Sequence, residues 1–390
     1  MEDRKSFYKG ALCGALATLL FIAAIIIAAI VFSHLFGEKV VDLRTEMKIE
    51  AIQKMIEERY LYSDEVDNEV LRESVIKGYV DGLGDPYSVY YDKEETQSLI
   101  ESTTGEFSGI GIVITQNLET GLVTIPTVYE NSPGAKAGLK SGDILYKINM
   151  EDITEQDLDQ IVTKIRGEKG TAVEITVLRG DNKEEYTCTA IRDIIEVDTV
   201  SYEMKDEKIG YIYVSGFEKV TMHQFEEALN ALRSQGMEAL VIDLRNNPGG
   251  NLSTVCEMLD LILPKGVIVY TEDKYGERET RTSDEEHKLE IPLAVLVNEN
   301  SASASEIFAG AVQDYGVGIL VGTTTYGKGI VQNLYQLTDG TCLKITTSEY
   351  FTPNGRNIHG TGIEPDIVVK YDETNFETDN QLETALECLK

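Results

Sequence analysis

The sequence of 390 residues is poor in the residue types that build metal sites and disulfide frameworks. It has only 4 histidines and 5 cysteines. None of the histidines or cysteines falls at the HExxH or CxxC-type spacings of zinc sites. The cysteines are also odd in number and far apart in the sequence. We therefore predict neither a metal site nor a disulfide framework.

Positive charge is scarce as well. The chain has 35 lysines and arginines against 67 aspartates and glutamates, which gives a net charge of −32. Such a chain repels phosphate backbones, and this excludes nucleic acid as a main partner of its soluble part. Its 42% of hydrophobic residues are nevertheless enough for a folded protein. At roughly 150 residues per domain, the length predicts two or three domains.

One long apolar run, at residues 11–32, contains no charged residue. As a helix that rises about 1.5 Å per residue, it is long enough for a hydrocarbon core of about 30 Å. Arg4, Lys5 and Lys9 precede the run, so we expect residues 1–10 to be a cytoplasmic tail and the rest of the chain to be extracytoplasmic. The run is long for a signal peptide and lacks a small-residue cleavage site, which favours an uncleaved single-pass anchor in the cell membrane.

Four further regions are expected after this anchor. Apolar residues at helical spacing predict a helical region at 40–104, broken by the glycines and proline of 82–86. A β-rich unit at 105–192 follows, with one helix for which Thr154 is the expected N-cap and with strands at 109–114, 122–129, 144–149 and 172–178. Residues 193–371 alternate strands and helices, which indicates an α/β core, and 372–390 form a short acidic helical tail. The predicted fold class is a mixed α/β core with an inserted β-rich domain, an N-terminal helical arm and one transmembrane helix.

Residues 322–328 match the GxxxxGK pattern of a phosphate-binding loop. Two features contradict that interpretation. Residue 329 is glycine where a hydroxyl is needed to hold magnesium, and the segment that follows has a β-like pattern, so no helix N-terminus is available for a phosphate. Nucleotide binding therefore remains only a minor alternative.

Three serines, Ser301, Ser303 and Ser305, lie at a predicted junction between a strand and a helix. Such a junction exposes a side chain while backbone amides point toward a developing oxyanion. The GxSxG motif and a histidine triad signature are absent, so a serine with a lysine base is the nucleophile system that remains. From these residues alone, two other interpretations stay open. Ser303 and Glu306 fit a capping box, and Lys328 fits an ordinary loop lysine.

Six segments in this order change that balance, and they resemble those of the carboxyl-terminal processing (tail-specific) proteases. These are serine/lysine peptidases with an inserted PDZ domain. The resemblance covers residues 45–370, and its segments are GLGDPYSVYY, SPGAKAGLKSGDILYKIN, DLRNNPGG, SASASEI, YGKGIVQ and TPNGRNIHGTGIEPD.

The resemblance implies a role for each matching residue. Ser303 corresponds to the nucleophile, Lys328 to its general base and Gln332 to the residue that orients the lysine. The backbone amides of Ala304 and Gly249 correspond to the oxyanion donors. The PDZ residues that contact substrate are expected to be Gly109, Ile110, Gly111 and Ile112. We expect the apolar stripe of Leu158, Ile161, Val162 and Ile165 to belong to the core rather than the groove, so we assign it no contact role. We expect Arg166 mainly to complement its helix dipole, and the alternative role for it is a gate between the PDZ domain and the protease.

The implied protein is a membrane-anchored serine endopeptidase that recognises the free C-terminal tails of proteins and cleaves them through an acyl-enzyme. It needs no cofactor. The main alternative is an inactive, membrane-tethered PDZ scaffold. The helical arm at 45–80 is a candidate homodimer surface, although apolar helical stripes more often pack within a chain.

Overall fold

The computed structural model describes residues 18, 22, 25 and 40–390, except for 118–119, 155, 206–207, 285–286, 373 and 375–377. No helix among these residues has the length and apolar character needed to cross a bilayer. The predicted span at 11–32 lies outside the described residues, apart from Thr18, Ile22 and Ile25, which are helical.

The first of two compact units contains the residues up to Ser74. Its helix α1 (Leu43–Arg59) begins at Asp42, whose carboxylate accepts a hydrogen bond from the Thr45 amide at 2.8 Å. A short 3₁₀ turn (Ser63–Glu65) and the start of helix α2 (Asn68–Asp81) follow. No residue of α1 is buried, although the helix carries many apolar side chains.

The second unit, Val75–Lys390, opens with β1 (Val89–Tyr91) and helix α3 (Lys93–Thr104) and continues into the β-rich domain. The elements of that domain are β2 (Glu106–Gly109), β3 (Ile112–Gln116), β4 (Val123–Val128), α4 (Pro133–Lys136), β5 (Ile144–Ile148), β6 (Glu151–Asp152), α5 (Leu158–Ile165), β7 (Ala172–Arg179), β8 (Glu184–Ile191) and β9 (Asp193–Glu196). One sheet has the order β3-β4-β5-β7-β8, with β6 on β5, and β2 pairs with β9.

Two predictions for this domain were wrong in detail. The segment 109–114 is not one strand, because Gly111 adopts a φ of 71° and separates β2 from β3. A side chain there would clash, since a Cβ would lie 2.3 Å from the Ser132 Cβ. The N-cap of α5 is Asp157 rather than Thr154, because the Asp157 carboxylate accepts from the Gln160 amide.

The remaining elements form the core. They are β10 (Val200–Lys205), β11 (Ile209–Val214), α6 (Lys219–Ser234), β12 (Ala239–Asp243), α7 (Leu252–Asp260), β13 (Gly266–Asp273), β14 (Arg278–Ser283), β15 (Leu293–Val297), α8 (Ala304–Tyr315), β16 (Ile319–Gly322), β17 (Ile330–Gln336), β18 (Cys342–Phe351), β19 (Ile367–Val368) and α9 (Asn380–Cys388).

A six-stranded sheet of order β10-β11-β12-β15-β16-β19 is the centre of this core. Its strands are parallel except for β10 at the edge. Helices α6, α7 and α8 contribute apolar residues to the cluster on one face, and α9 packs on the other face. Because both faces are covered, β12 and β15 are buried at every residue. The predicted α/β alternation of the core is therefore confirmed.

A second sheet has the order β1-β18-β13-β14, with β17 also paired to β18. This sheet was largely missed from the sequence. Its strand β1 comes from near residue 90 and pairs with β18 near residue 343. The pairing places the segment 85–91 beside β17 and β18, which lead into the site described next.

Candidate active site

The three serines of the junction between β15 and α8 lie in different surroundings. The Ser301 hydroxyl is buried and donates to the Leu244 carbonyl at 2.8 Å. The Ser305 hydroxyl is buried and donates to the Asn247 carbonyl at 2.9 Å. Ser303 instead lines a cleft of about 520 Å³. Of the three, Ser303 is therefore the serine placed to meet a substrate.

The backbone of Ser303 is strained. Its φ of 54° and ψ of −111° are rare for a residue with a side chain. The turn directly precedes α8, and the buried Tyr350 hydroxyl donates to the Ser303 carbonyl at 3.1 Å. A sharp turn between a strand and a helix projects the side chain of its residue away from the sheet, as nucleophile turns do.

Lys328 lines the same cleft as Ser303. Its Nζ lies 4.5 Å from the centre of the Tyr87 ring, a cation–π contact. Among the described residues, no hydrogen bond joins this ammonium to Ser303 or Gln332. Burial lowers the pKa of Lys328 below its usual range, and the nearby Lys344 lowers it further. The carboxylates of Asp85 and Glu306 act in the opposite direction and raise this pKa.

Gln332 belongs to β17 and also lines the cleft. Its Nε2 donates to the Thr346 hydroxyl at 3.2 Å, and that hydroxyl donates to the Asp85 carboxylate at 2.7 Å. These two bonds fix the amide group, and no donor among the described residues occupies the Gln332 side-chain carbonyl oxygen. The sequence indicated Asp85 as part of a helix-breaking turn and of the family segment GLGDPYSVYY, but nothing in its local pattern pointed to a contact with Thr346, 261 residues away.

Glu306 is the residue whose importance was missed. It is fully buried, and its carboxylate accepts four hydrogen bonds. Their donors are the Ser303 amide (2.9 Å), the Lys328 amide (2.8 Å), the Gly327 amide (2.7 Å) and the Thr325 hydroxyl (2.6 Å). The predicted capping contact with Ser303 is thus one of four bonds. Two amides of the GxxxxGK segment bind this carboxylate and β17 follows them, so the segment shows no phosphate cradle.

The two proposed oxyanion donors lie close together. Ala304 is the first residue of α8, where amides have no partner within the helix. Gly249 has a φ of 105°, and a Cβ there would lie 2.8 Å from the Ser303 Cβ and 3.0 Å from the Ala304 nitrogen. In this structure the Gly249 amide donates to the Asn247 side chain at 2.9 Å. It must leave that acceptor before it can bind an oxyanion.

The predicted peptide-binding residues of the β-rich domain line a separate apolar groove. This cavity of about 230 Å³ lies along β3 and α5 and includes Gly109, Ile110, Gly111 and Ile112. Val162 and Ile165 of α5 line it too. Ile165 is nevertheless buried in the core of the domain, as expected for the stripe, whereas Val162 is only half-buried. Ile161, by contrast, is completely buried.

Arg166 does more than complement a helix dipole. It is the C-cap residue of α5, and its guanidinium forms an ion pair of 2.6 Å with Glu101 in α3. The guanidinium carbon also lies 5.3 Å from the centre of the Phe107 ring. Arg166 therefore ties the groove to the helix that precedes the β-rich domain.

Comparison with known proteins identifies the family to which this chain belongs. The profile of "Peptidase family S41" matches residues 208–369, that of a "PDZ domain" matches 124–179, and that of the "Activating protease CtpB N-terminal domain" matches 36–95. A "Probable CtpA-like serine protease" of Staphylococcus epidermidis is 35% identical over 91% of this chain and 72% of its own length. The chain belongs to peptidase family S41. It is a CtpA-like serine protease, a C-terminal processing peptidase with a PDZ domain.

Other relatives have similar coverage. A "Probable CtpA-like serine protease" of Staphylococcus aureus is 36% identical over 92% of this chain and 73% of its own length. Among solved structures, the "Photosystem II D1 C-terminal processing protease" matches with a TM-score of 0.48 and 25% identity, over 81% of this chain and 88% of that one.

Proposed function

We propose that this S41 protease cleaves proteins near their free C-terminal tails with Ser303 as nucleophile and Lys328 as general base. The observation that carries this proposal is the placement of the three serine hydroxyls. Two are buried and bonded to backbone carbonyls, whereas Ser303 shares the cleft with Lys328.

The reaction begins with a neutral Lys328 amine. Rotation of its side chain away from Tyr87 brings Nζ to Ser303, whose proton it accepts while Oγ attacks the peptide carbonyl. The amides of Ala304 and Gly249 bind the oxyanion, the latter after release from Asn247. Protonated Lys328 then gives its proton to the leaving amine, and water hydrolyses the acyl-enzyme. The free carbonyl oxygen of Gln332 orients the lysine between these steps.

Tail recognition is assigned to the groove between β3 and α5. The other edge of β3 pairs with β4, so an extended peptide can add to its open edge, while the backbone at 109–112 binds the terminal carboxylate. The apolar lining favours a tail that ends in an apolar residue. We further propose that residues 11–32 anchor the enzyme in the cell membrane with its PDZ domain and protease core outside the cytoplasm.

A homodimer is the remaining part of the proposal. Helix α1 exposes apolar side chains that none of the described residues of the first unit covers, among them Leu43, Met47 and Met55. Exposed apolar faces of this kind mark interaction sites. Sedimentation of the full chain, compared with a variant that carries Met47→Glu and Met55→Glu, measures whether this face joins two copies.

The catalytic assignment is tested by hydrolysis of an unstructured protein such as casein by the full chain. We expect Ser303→Ala to abolish turnover, whereas Ser301→Ala and Ser305→Ala retain it at reduced stability. If Ser303→Ala stayed active and Ser301→Ala lost activity, the assignment of Ser303 as the nucleophile would be wrong. A parent protein that binds tails without cleaving any protein would support the scaffold alternative.

Tail recognition is tested by binding of matched peptides with a free or an amidated C-terminus to the Ser303→Ala protein. Amidation removes the charge that the loop amides bind, so affinity should fall by a factor that corresponds to roughly 1.5–3 kcal/mol. Equal affinities of the acid and the amide would exclude carboxylate recognition. Discrimination that survives deletion of 105–192 would place it outside the PDZ domain.

A further inference from the structure

A second ammonium group, that of Lys344, lines the catalytic cleft together with Lys328. Lys344 lies on β18 two residues before Thr346, so both side chains point to the same face of the strand. Thr346 is the residue that holds Gln332. The geometry therefore places the Lys344 ammonium alongside the groups that surround the general base.

The partner of Lys344 is unusual for so acidic a chain. Its Nζ donates to the Tyr91 hydroxyl at 2.7 Å and lies 5.2 Å from the centre of that ring. Within the described part of the chain, no carboxylate forms an ion pair with Lys344 or with Lys328. A neutral phenol fixes the position of an ammonium group without cancelling its charge. The positive charge of Lys344 therefore remains to act on the cleft.

Several other groups face Lys328 and act on the same amine. Asp85 and Tyr87 approach from the segment before β1 and Glu306 from α8, while Tyr326 interacts with Tyr87 through a hydrogen bond. His359 lies next to the loop, where its Nδ1 accepts from the Gly329 amide. The two carboxylates favour the charged lysine, so burial and Lys344 must oppose them.

We infer that Lys344 is a positioning residue for catalysis. Tyr91 holds its ammonium group inside the cleft, and the uncompensated positive charge of that group keeps the general base Lys328 neutral. This inference rests on the proposed role of Lys328. It assigns a chemical purpose to the pairing of β1 with β18, because that pairing brings Tyr91 to Lys344.

The test is the pH dependence of kcat/KM of the full chain in a charge series at Lys344. Lys344→Arg keeps the charge and should leave the alkaline-rising limb in place. Lys344→Met should move the limb upward by on the order of one pH unit, with a roughly tenfold loss at pH 7 that recovers at high pH. Lys344→Glu should move it further. Lys265→Met, which removes an exposed lysine elsewhere, is the matched control.

A second variant and a second readout guard against a folding defect. Tyr91→Phe leaves the lysine in place but removes its hydrogen bond, and a smaller upward shift is expected. In Ser303→Ala protein with ¹³Cε-labelled lysine, the Lys328 resonance should titrate at higher pH after Lys344→Met. The inference would be overturned if Lys328 titrated at the same pH with and without Lys344→Met. It would also be overturned if Lys344→Met changed only the KM for acidic peptides. If Lys328→Ala remained active, the proposed mechanism itself would fail instead.

Discussion

Replacement of Glu306 by glutamine is the sharpest test of how the site is held together. The carboxylate accepts two bonds at each oxygen: Oε2 from the Ser303 and Lys328 amides, and Oε1 from the Gly327 amide and the Thr325 hydroxyl. A glutamine keeps one oxygen and replaces the other by an NH₂ group, which is a donor only. Two of the four donors therefore lose their acceptor in Glu306→Gln.

The magnitude follows from this count. A buried donor left without an acceptor costs about 1–3 kcal/mol, so Glu306→Gln should lower the free energy of unfolding by about 2–6 kcal/mol. The Thr325 hydroxyl cannot simply rotate to relieve the loss, because it also accepts from the Ile363 amide at 2.7 Å. Depending on which position the glutamine oxygen takes, either the amides of Ser303 and Lys328 or the Gly327 amide and the Thr325 hydroxyl lose their acceptor. The connection between the turn of Ser303 and the loop of Lys328 is weakened in both cases, so kcat should fall while KM changes less.

Two measurements check this prediction: thermal unfolding and initial rates with a peptide substrate. Glu257→Gln is the control, because Glu257 is exposed on the neighbouring helix α7. We expect this control to match the parent in both measurements. A Glu306→Gln protein that unfolds within about 0.5 kcal/mol of the parent and turns over normally would refute the reasoning that this carboxylate organises the site.

The remaining predictions concern the base, the oxyanion turn and the groove. Lys328→Arg should be as inactive as Lys328→Ala, because arginine does not deprotonate. The activity of the parent protein should rise with pH through a group that titrates below about 10.4, since burial lowers the pKa of Lys328. A flat pH profile of kcat/KM would contradict this prediction. Gly249→Ala should abolish hydrolysis, because the added Cβ would lie 2.7 Å from the Ala302 carbonyl oxygen. The control Gly276→Ala should remain active in the same assay, because Gly276 also has a positive φ but has open space around it. Val162→Asp should weaken the binding of tail peptides at least tenfold. It should not change the hydrolysis of short peptides that do not reach the groove. An unchanged affinity, measured by fluorescence anisotropy, would show that α5 is not part of the recognition surface.

The parts of the fold that the sequence predicted are those with a strong local pattern. Strand β15 is a continuous apolar run, and β12 is apolar up to Asp243, because both faces of the sheet are covered. Strand β14 has the opposite character. It is exposed over most of its length and polar, so its sequence shows no apolar alternation.

The same contrast applies to the site. Ser303, Lys328 and Gln332 could be named because short motifs of the family contain them. Asp85 and Tyr91 could not be assigned, because their roles depend on a pairing between β1 and β18 that no local pattern encodes. Glu306 was visible only as a capping residue, since three of its four donors come from a loop about twenty residues later.

That same pairing joins two segments that are made at very different times during synthesis of the chain. The Thr346 amide donates to the Ser88 hydroxyl across a separation of 258 residues, and the Thr346 hydroxyl reaches Asp85 across 261. A growing chain therefore carries Ser303 and Lys328 before it carries the strand that completes their surroundings. Contacts of such long range form late and slowly in folding. A chain that ends before β18 therefore lacks the contacts that fix Gln332 and Asp85 beside the cleft, and these surroundings are completed only when residues 342–351 have been made.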